Sequence, residues 1–538
     1  MLGQTREAEQ AEMAAISASA QISTLAAAAR RMEAREFGEA SRLAAEHLRK
    51  EPDDLAALTL SAEAAIALSL PHKAIPLLQD VLKRAPSFFR ARVLMANALM
   101  LTDQLRDALR LLAPMAEHHS EDAELINLLS RVHTELGDHA AASKANAQLV
   151  GIAPRSADAQ TNLGDALRFS GRKAEAIAAY REAIGKDPHH GRAWWSLADI
   201  DPKALSNNDI TAIRAALAAR SKEPEHAGNL HFALGIALDS CGEAAEAFEQ
   251  FAAGNALRRA AQPYDAHELS AQVDRHLAAS TKEALVPGFA PPGDLPTPIF
   301  VLGMPRAGST LLERILGEHS QIEALGELSI VPHMVERLRQ DAPEGQVEAT
   351  IARIDPKSLA GMGQWYLTRA RERMIGAAPF FIDKLHMNWR HLPLILRMLP
   401  QAKIIDIRRN AMDCCWSNYK TLFARGHPAA SDLSDLGHFY RDYARQTDTL
   451  AARAPDRIQQ LSYEALVEDV ETQLRELFDG LSIPFEPQVL DFHQSTAPVA
   501  TASSEQVRRP LNRDGMQVWR PYSQWLGPLR EALGDLAA

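Results

Sequence analysis

Small and apolar residues recur with helical spacing over roughly the first 260 positions, and the pattern itself repeats. Pro52, Pro86, Pro154 and Pro188 fall on one 34-residue register, with Ser120 in the remaining slot. Twelve residues before each stand Ala40, Ala74, Ala108, Ala142 and Ala176, and twelve before those stand Ala28, Ala62, Ala96, Ser130 and Gly164. Small residues at two fixed columns predict pairs of antiparallel helices that cross closely. A proline at the third column ends the second helix of each pair, because it cannot extend the hydrogen-bond ladder. The best copy is 157–190, "ADAQTNLGDALRFSGRKAEAIAAYREAIGKDPHH", with Gly164, Gly171, Ala176, Tyr180 and Pro188 in register. A further helix is predicted at "GRAWWSLADI", and "HFALGIALDSCGEAAEAFEQFAAGNAL" restores the spacing through Gly235 and Ala247.

Beyond residue 286 the texture changes. "PGFAPPGDLPTP" (287–298) is rich in proline and glycine and reads as a linker. After it, short β-branched runs ("PIFVL", "AKIIDI", "RIQQLSY") alternate with helical patterns, which predicts an α/β domain on a parallel sheet. The expected organisation is an N-terminal segment 1–22, helical or disordered; an all-α solenoid of six or seven helix pairs over 23–285; a linker over 286–298; and an α/β domain over 299–538.

Composition narrows the function classes. The 538 residues carry a net charge of −11 with no long basic run, which argues against nucleic-acid binding. No apolar run of membrane-spanning length occurs, so no membrane insertion is expected. The N-terminus lacks the apolar core of a signal peptide. Three cysteines, two of them adjacent (Cys414 and Cys415), exclude a disulfide framework and fit a reducing, cytoplasmic setting.

Four stretches bear chemistry. "GMPRAGST" (303–310) follows an apolar strand and opens a helix, so its backbone N–H groups converge on a site for an anion. Ser309 stands where a nucleotide-hydrolysing loop needs lysine, Ser309 and Thr310 add hydroxyls, and Arg306 brings the positive charge into the loop itself. Glu327 follows a short strand and Gly326, and Lys384 follows the strand "FFI"; both are expected at strand carboxyl ends, where ligands of open parallel sheets lie. In "IRRNAMDCCWS", Arg409 and Ser417 are placed to share one phosphate. His118–His119 and His189–His190 lie at predicted inter-repeat turns, and no metal site is expected.

The 34-residue period resembles the tetratricopeptide repeat. The motifs of 297–525, in their order, resemble the sulfotransferase superfamily, most closely its tyrosylprotein sulfotransferase-like branch and bacterial proteins that fuse that branch to tetratricopeptide repeats. The resemblance implies a P-loop-like α/β fold and a co-substrate, 3′-phosphoadenylyl sulfate, that leaves as adenosine 3′,5′-bisphosphate, with no metal. It implies that Pro305, Arg306, Ala307, Gly308, Ser309 and Thr310 hold the 5′-phosphosulfate, and that Arg409 and Ser417 hold the 3′-phosphate. Tyr463, Ser503 and Arg509 match further donor contacts. Glu327 matches the catalytic base, and Arg306 and Lys384 match the groups that stabilise charge during transfer. Arg409-Asn410-Ala411 departs from the usual R-D-P, Arg509 replaces a lysine, and Val518 stands where the eukaryotic enzymes have a lysine beside Trp519, with Arg520 next to it. The expected acceptor is a protein, a peptide (a tyrosine foremost) or a small molecule brought through the repeat groove, with a small-molecule, lipid or saccharide sulfotransferase as the alternative. A P-loop kinase or NTPase, and a non-enzymatic scaffold, are the rival classes. A dimerisation arm, giving a homodimer, is the other reading of the repeats.

Overall fold

The computed structural model describes residues 23–285, 295–343, 345–423, 427–494 and 511–538. The expected N-terminal segment and most of the expected linker lie outside these residues. The chain forms two compact units, Met1–Pro154 and Arg155–Ala538.

In the first unit, four helix pairs run from Ser23–Glu33 with Phe37–Leu48 to Ala123–Glu135 with His139–Ile152. The second unit opens with three more pairs and an additional helix, Ala266–Ala279. The small-residue columns are the reason the helices pair. Ala40, Ala74, Ala108, Ala142 and Ala176 have no exposed surface at all, and Ala28, Ala62 and Ala96 are equally sealed. At Gly164 the approach is so close that a Cβ would stand 2.4 Å from Tyr180 Cε1, so the bulk of that pair is supplied from the second helix. Aspartate or serine caps start many first helices: Asp54, Asp122 and Ser156 each accept a backbone N–H from the first turn.

The α/β domain is built on five parallel strands, β1 (Thr297–Gly303), β2 (Ile322–Ala324), β3 (Phe380–Asp383), β4 (Lys403–Arg408) and β5 (Ile458–Ser462), in the order β2-β3-β1-β4-β5. Residues 298–303 of β1 are all buried because both faces of the sheet are covered. Ile299 and Val301 point into a core with the Ser309–Gly317 and Val470–Leu481 helices. Phe300 and Leu302 point into the other, with the Pro356–Arg373 and Leu433–Arg453 helices. That second core continues into the repeat helices of the same unit. Phe248, on Ala244–Ala261, stacks on Trp525 (5.2 Å) and Trp416 (6.0 Å), and Asn255 Nδ2 donates to the Tyr419 carbonyl at 2.9 Å. The last repeat pair is thereby part of the support of the Ala411–Tyr419 helix. Among the described residues no helix is long and apolar enough to cross a membrane.

Candidate functional site

β1 is central, with β3 on one side and β4 on the other, so the turn after β1 lies between the turns that follow those two strands. The carboxyl ends of the strands meet in that crevice, the usual ligand position of open α/β sheets.

On the β4 side, the 303–310 turn is folded tightly against its neighbours. Arg306 has a left-handed backbone, φ 65°. Gly308 caps the Ser309–Gly317 helix at φ 105°, and a Cβ there would meet Tyr463 Cδ2 at 2.6 Å. The Pro305 carbonyl accepts from Asn418 Nδ2 at 2.7 Å and from the Cys414 thiol at 3.3 Å, which fixes the turn to the helix behind it. Burial pushes that thiol up to about 12, so it stays protonated. Arg306 Nε donates to Ser417 Oγ at 3.2 Å, and Arg409 Nη1 donates to the Arg306 carbonyl at 2.9 Å. Arg409 also donates to the Gly515 carbonyl and lies 5.5 Å over the Tyr463 ring. Ser309 and Thr310 begin the helix, whose first-turn N–H groups have no intrahelical acceptor. Ala307 is buried at the foot of the turn. Loop, Arg409, Ser417 and Tyr463 therefore converge on one place.

On the β3 side, Lys384 Nζ donates to Glu327 Oε1 at 2.7 Å. The backbone aligns them: Lys384 N–H donates to the Gly326 carbonyl at 2.9 Å, and Leu325 N–H to the Ile382 carbonyl at 3.1 Å. The Lys384 side chain is only 1% exposed whereas that of Glu327 is 43% exposed, so the carboxylate faces the cleft and the ammonium lies beneath it. Burial pushes the Glu327 carboxyl up most strongly, but the charge and hydrogen bond of Lys384, together with His386, hold the group below the usual glutamate range. His386 Nδ1 lies 3.9 Å from the same oxygen, and burial pushes that imidazole down to about 4, leaving it neutral at physiological pH.

Ser503 and Arg509 lie outside the described residues. Val518 and Trp519 pack at the edge of the core, and Arg520 is exposed. Sequence reasoning missed Glu313, His386, Asn418, Asp413 and Glu464. Asp413 accepts from the Gln517 and Trp519 N–H groups at 2.7 and 3.3 Å, tying the C-terminal segment to the site. Glu464 accepts from Asn410 N–H at 2.8 Å and braces Arg409 from its other neighbour. The one available signal for Glu313 was its place four residues after Ser309, on the same helical face. Among the described residues no cluster of three or more His, Cys, Asp or Glu side chains could hold a metal ion.

Residues 298–487 match the family model of the sulfotransferase family, and 69–132 and 161–200 match models of the tetratricopeptide repeat. The C-terminal domain belongs to the sulfotransferase family, and the helix pairs are tetratricopeptide repeats. An uncharacterized protein of Aquifex aeolicus (strain VF5) is 32% identical over 348 residues, 63% of this chain and 45% of that protein, so the chain spans under half of that relative. Protein-tyrosine sulfotransferase 1 of Danio rerio is 23% identical over 256 residues, 45% of this chain and 71% of that protein. Among solved structures, the sulfotransferase domain from the curacin biosynthetic pathway is 20% identical, with 43% of this chain and 98% of that domain covered at a TM-score of 0.28.

Proposed function

We propose that the C-terminal domain moves a sulfuryl group from 3′-phosphoadenylyl sulfate to an acceptor hydroxyl, with no metal. The observation that carries this reading is the convergence of the lysine-free 303–310 turn with Arg409, Ser417 and Tyr463, opposite an outward-facing Glu327 paired to a buried Lys384. The residues gathered there have the chemistry to hold a doubly phosphorylated adenosine. The turn and helix start supply N–H and hydroxyl donors, Arg306 and Arg409 supply fixed charge, and Arg409 Nε is buried with no hydrogen-bond partner among the described residues. Pro305 to Thr310 would hold the 5′-phosphosulfate, Arg409 and Ser417 the 3′-phosphate, and Tyr463 would pack beside them. Ser503 and Arg509 are proposed as further donor contacts from the resemblance alone.

The bound donor supplies an activated sulfuryl group. Glu327, reachable from the cleft, takes the proton of the acceptor hydroxyl as the acceptor oxygen bonds to sulfur. The bond from sulfur to the phosphate oxygen breaks, and its electron pair stays with the phosphate. Arg306 stabilises charge on the transferring oxygens, and Lys384 acts behind Glu327 and toward the leaving oxygen. A carboxylate held low is a modest base, and its value here lies in position as much as in basicity.

The acceptor is proposed to be a peptide or protein hydroxyl, a tyrosine foremost, delivered along the repeats. Two observations support this: relatives named protein-tyrosine sulfotransferases, and repeat helices in one compact unit with the site. Burial works against the Arg306 charge, and Asp199 of the repeats, itself 2.7 Å from Arg168, is the charged neighbour that most offsets it.

Thermal denaturation with adenosine 3′,5′-bisphosphate, and separately with ATP and magnesium, tests the donor. Stabilisation by the bisphosphate alone is expected; stabilisation by magnesium-ATP alone would make the domain a kinase or NTPase. Label that passes from the donor only into small metabolites would replace the peptide acceptor with a small-molecule one.

A further inference from the structure

Lys384 has a second carboxylate. Glu313 lies on the Ser309–Gly317 helix, and its Oε2 is 3.8 Å from Lys384 Nζ, on an ammonium that already meets Glu327 at 2.7 Å. The Glu313 side chain is 13% exposed, and the Gly326 backbone also hydrogen-bonds its carboxyl. One residue of the phosphate-loop helix thus touches the turn that carries the base and the lysine that pairs with it.

Consider what turnover does to this triad, on the reading that Glu327 is the base. Once Glu327 holds the acceptor's proton it is neutral, and without Glu313 the Lys384 ammonium, 1% exposed, would keep a full charge with no carboxylate paired to it. A buried charge stripped of its partner is strongly unfavourable, so the lysine would move or lose its proton. We propose that Glu313 is a positioning residue that keeps Lys384 charged and in place while Glu327 carries the proton.

The charges around the triad bear on this assignment. Burial is the largest influence on the Glu313 carboxyl; Lys384 pulls it down, the Glu327 charge pushes it up, and the group is held above its ordinary value while Glu327 is ionised. Protonation of Glu327 removes one of the two upward pushes, so Glu313 holds its own proton less tightly just when Lys384 needs an anion. Lys384 is opposed by burial but kept above its ordinary value by Glu313, Glu327 and, to a smaller extent, Asp383. Asp383 is a poor substitute, because burial pushes it up to about 7 and it already accepts the Tyr366 hydroxyl at 2.8 Å. His386 feels both the Glu327 and the Lys384 charge, and burial holds it neutral.

The test is a double-mutant cycle on the full chain, read by thermal denaturation without donor or acceptor. Glu327→Gln imitates the protonated base. Glu327→Gln and Glu313→Gln each leave Lys384 one carboxylate and should lower Tm by no more than ~3 °C, whereas the double variant should fall by ~5 °C beyond their sum. Additivity within ~1 °C would overturn the proposal. If the double variant does not fold, adding Lys384→Met should restore folding, and failure to restore it would also overturn the proposal. In turnover, Glu313→Gln should lower kcat by ~10-fold with the donor KM within about threefold. A raised donor KM at unchanged kcat would make Glu313 part of donor binding instead. The cycle uses no nucleotide, so failure of the chain to bind adenosine 3′,5′-bisphosphate would refute the proposed function without deciding the cycle.

Discussion

Replacing Gly308 with alanine separates backbone strain from loss of the cleft. Gly308 has φ 105° and ψ 8°, so any Cβ there costs about 1–2 kcal/mol through the left-handed backbone alone. The new methyl would also stand 2.6 Å from Tyr463 Cδ2 and 3.3 Å from Ile407 Cδ1, so the ring must shift. Overpacking of that kind adds about 1–3 kcal/mol, for a total of about 2–5 kcal/mol. Gly242 is the control. It lies in the same compact unit at φ 81°, and nothing stands within 4 Å of its Cβ position, so Gly242→Ala carries the backbone cost alone. Because Tyr463 lies under Arg409, moving its ring disturbs the arginine proposed to hold the 3′-phosphate. Calorimetric titration with adenosine 3′,5′-bisphosphate should show Gly308→Ala weakened ~10–100-fold, about 1.4–2.8 kcal/mol, and Gly242→Ala unchanged. Equal affinity and equal Tm in the two variants would refute the reasoning.

Four further outcomes are expected. Glu327→Gln should lower kcat by ~10²-fold while donor binding, read by calorimetry, stays within a few-fold. Because Lys384 and His386 together hold the Glu327 carboxyl below the ordinary 4.5 against the push of burial, the proposed base is ionised above that range and protonated as pH falls through its lowered value. The pH–rate profile should therefore have no acid limb near neutrality, and a limb between pH 6 and 7 would assign the base to another group. Arg409→Ala should raise the donor KM with a smaller effect on kcat, measured by initial rates across donor concentration. Deleting residues 1–154 should leave nucleotide-induced stabilisation intact, whereas deleting 1–285 should abolish it, because that cut strips Phe248 and Asn255 from the Ala411–Tyr419 helix.

The periodic half of the chain was legible because each repeat obeys the same local constraint. A column such as Ala40 to Ala176 can be read as buried without knowing what covers it, since close helix crossings admit only small residues. The run 299–302 could likewise be read as a strand covered on both faces. The strand-end positions of Glu327 and Lys384 followed from the same topology, although β2 is only three residues long. Glu313 was hidden by its setting, since a glutamate on an amphipathic helix looks solvated until a lysine from 71 positions on is placed beside it. Phe248 against Trp416 was hidden for the same reason: contacts between the repeats and the α/β domain leave no period and no motif. Asp413 and Glu464 serve backbone N–H groups far along the chain, which only the folded path reveals.

Sulfuryl transfer, as proposed, depends on Glu327. The most direct measurement is incubation of the purified chain, and of its Glu327→Gln variant, with donor labelled on sulfur and fractionated cell protein. Label is expected on a hydroxyl of an acceptor, with release of adenosine 3′,5′-bisphosphate in equal amount and loss of nearly all transfer in the variant. Transfer that proceeds equally well with Glu327→Gln, or bisphosphate release with no labelled acceptor, would contradict the proposed function.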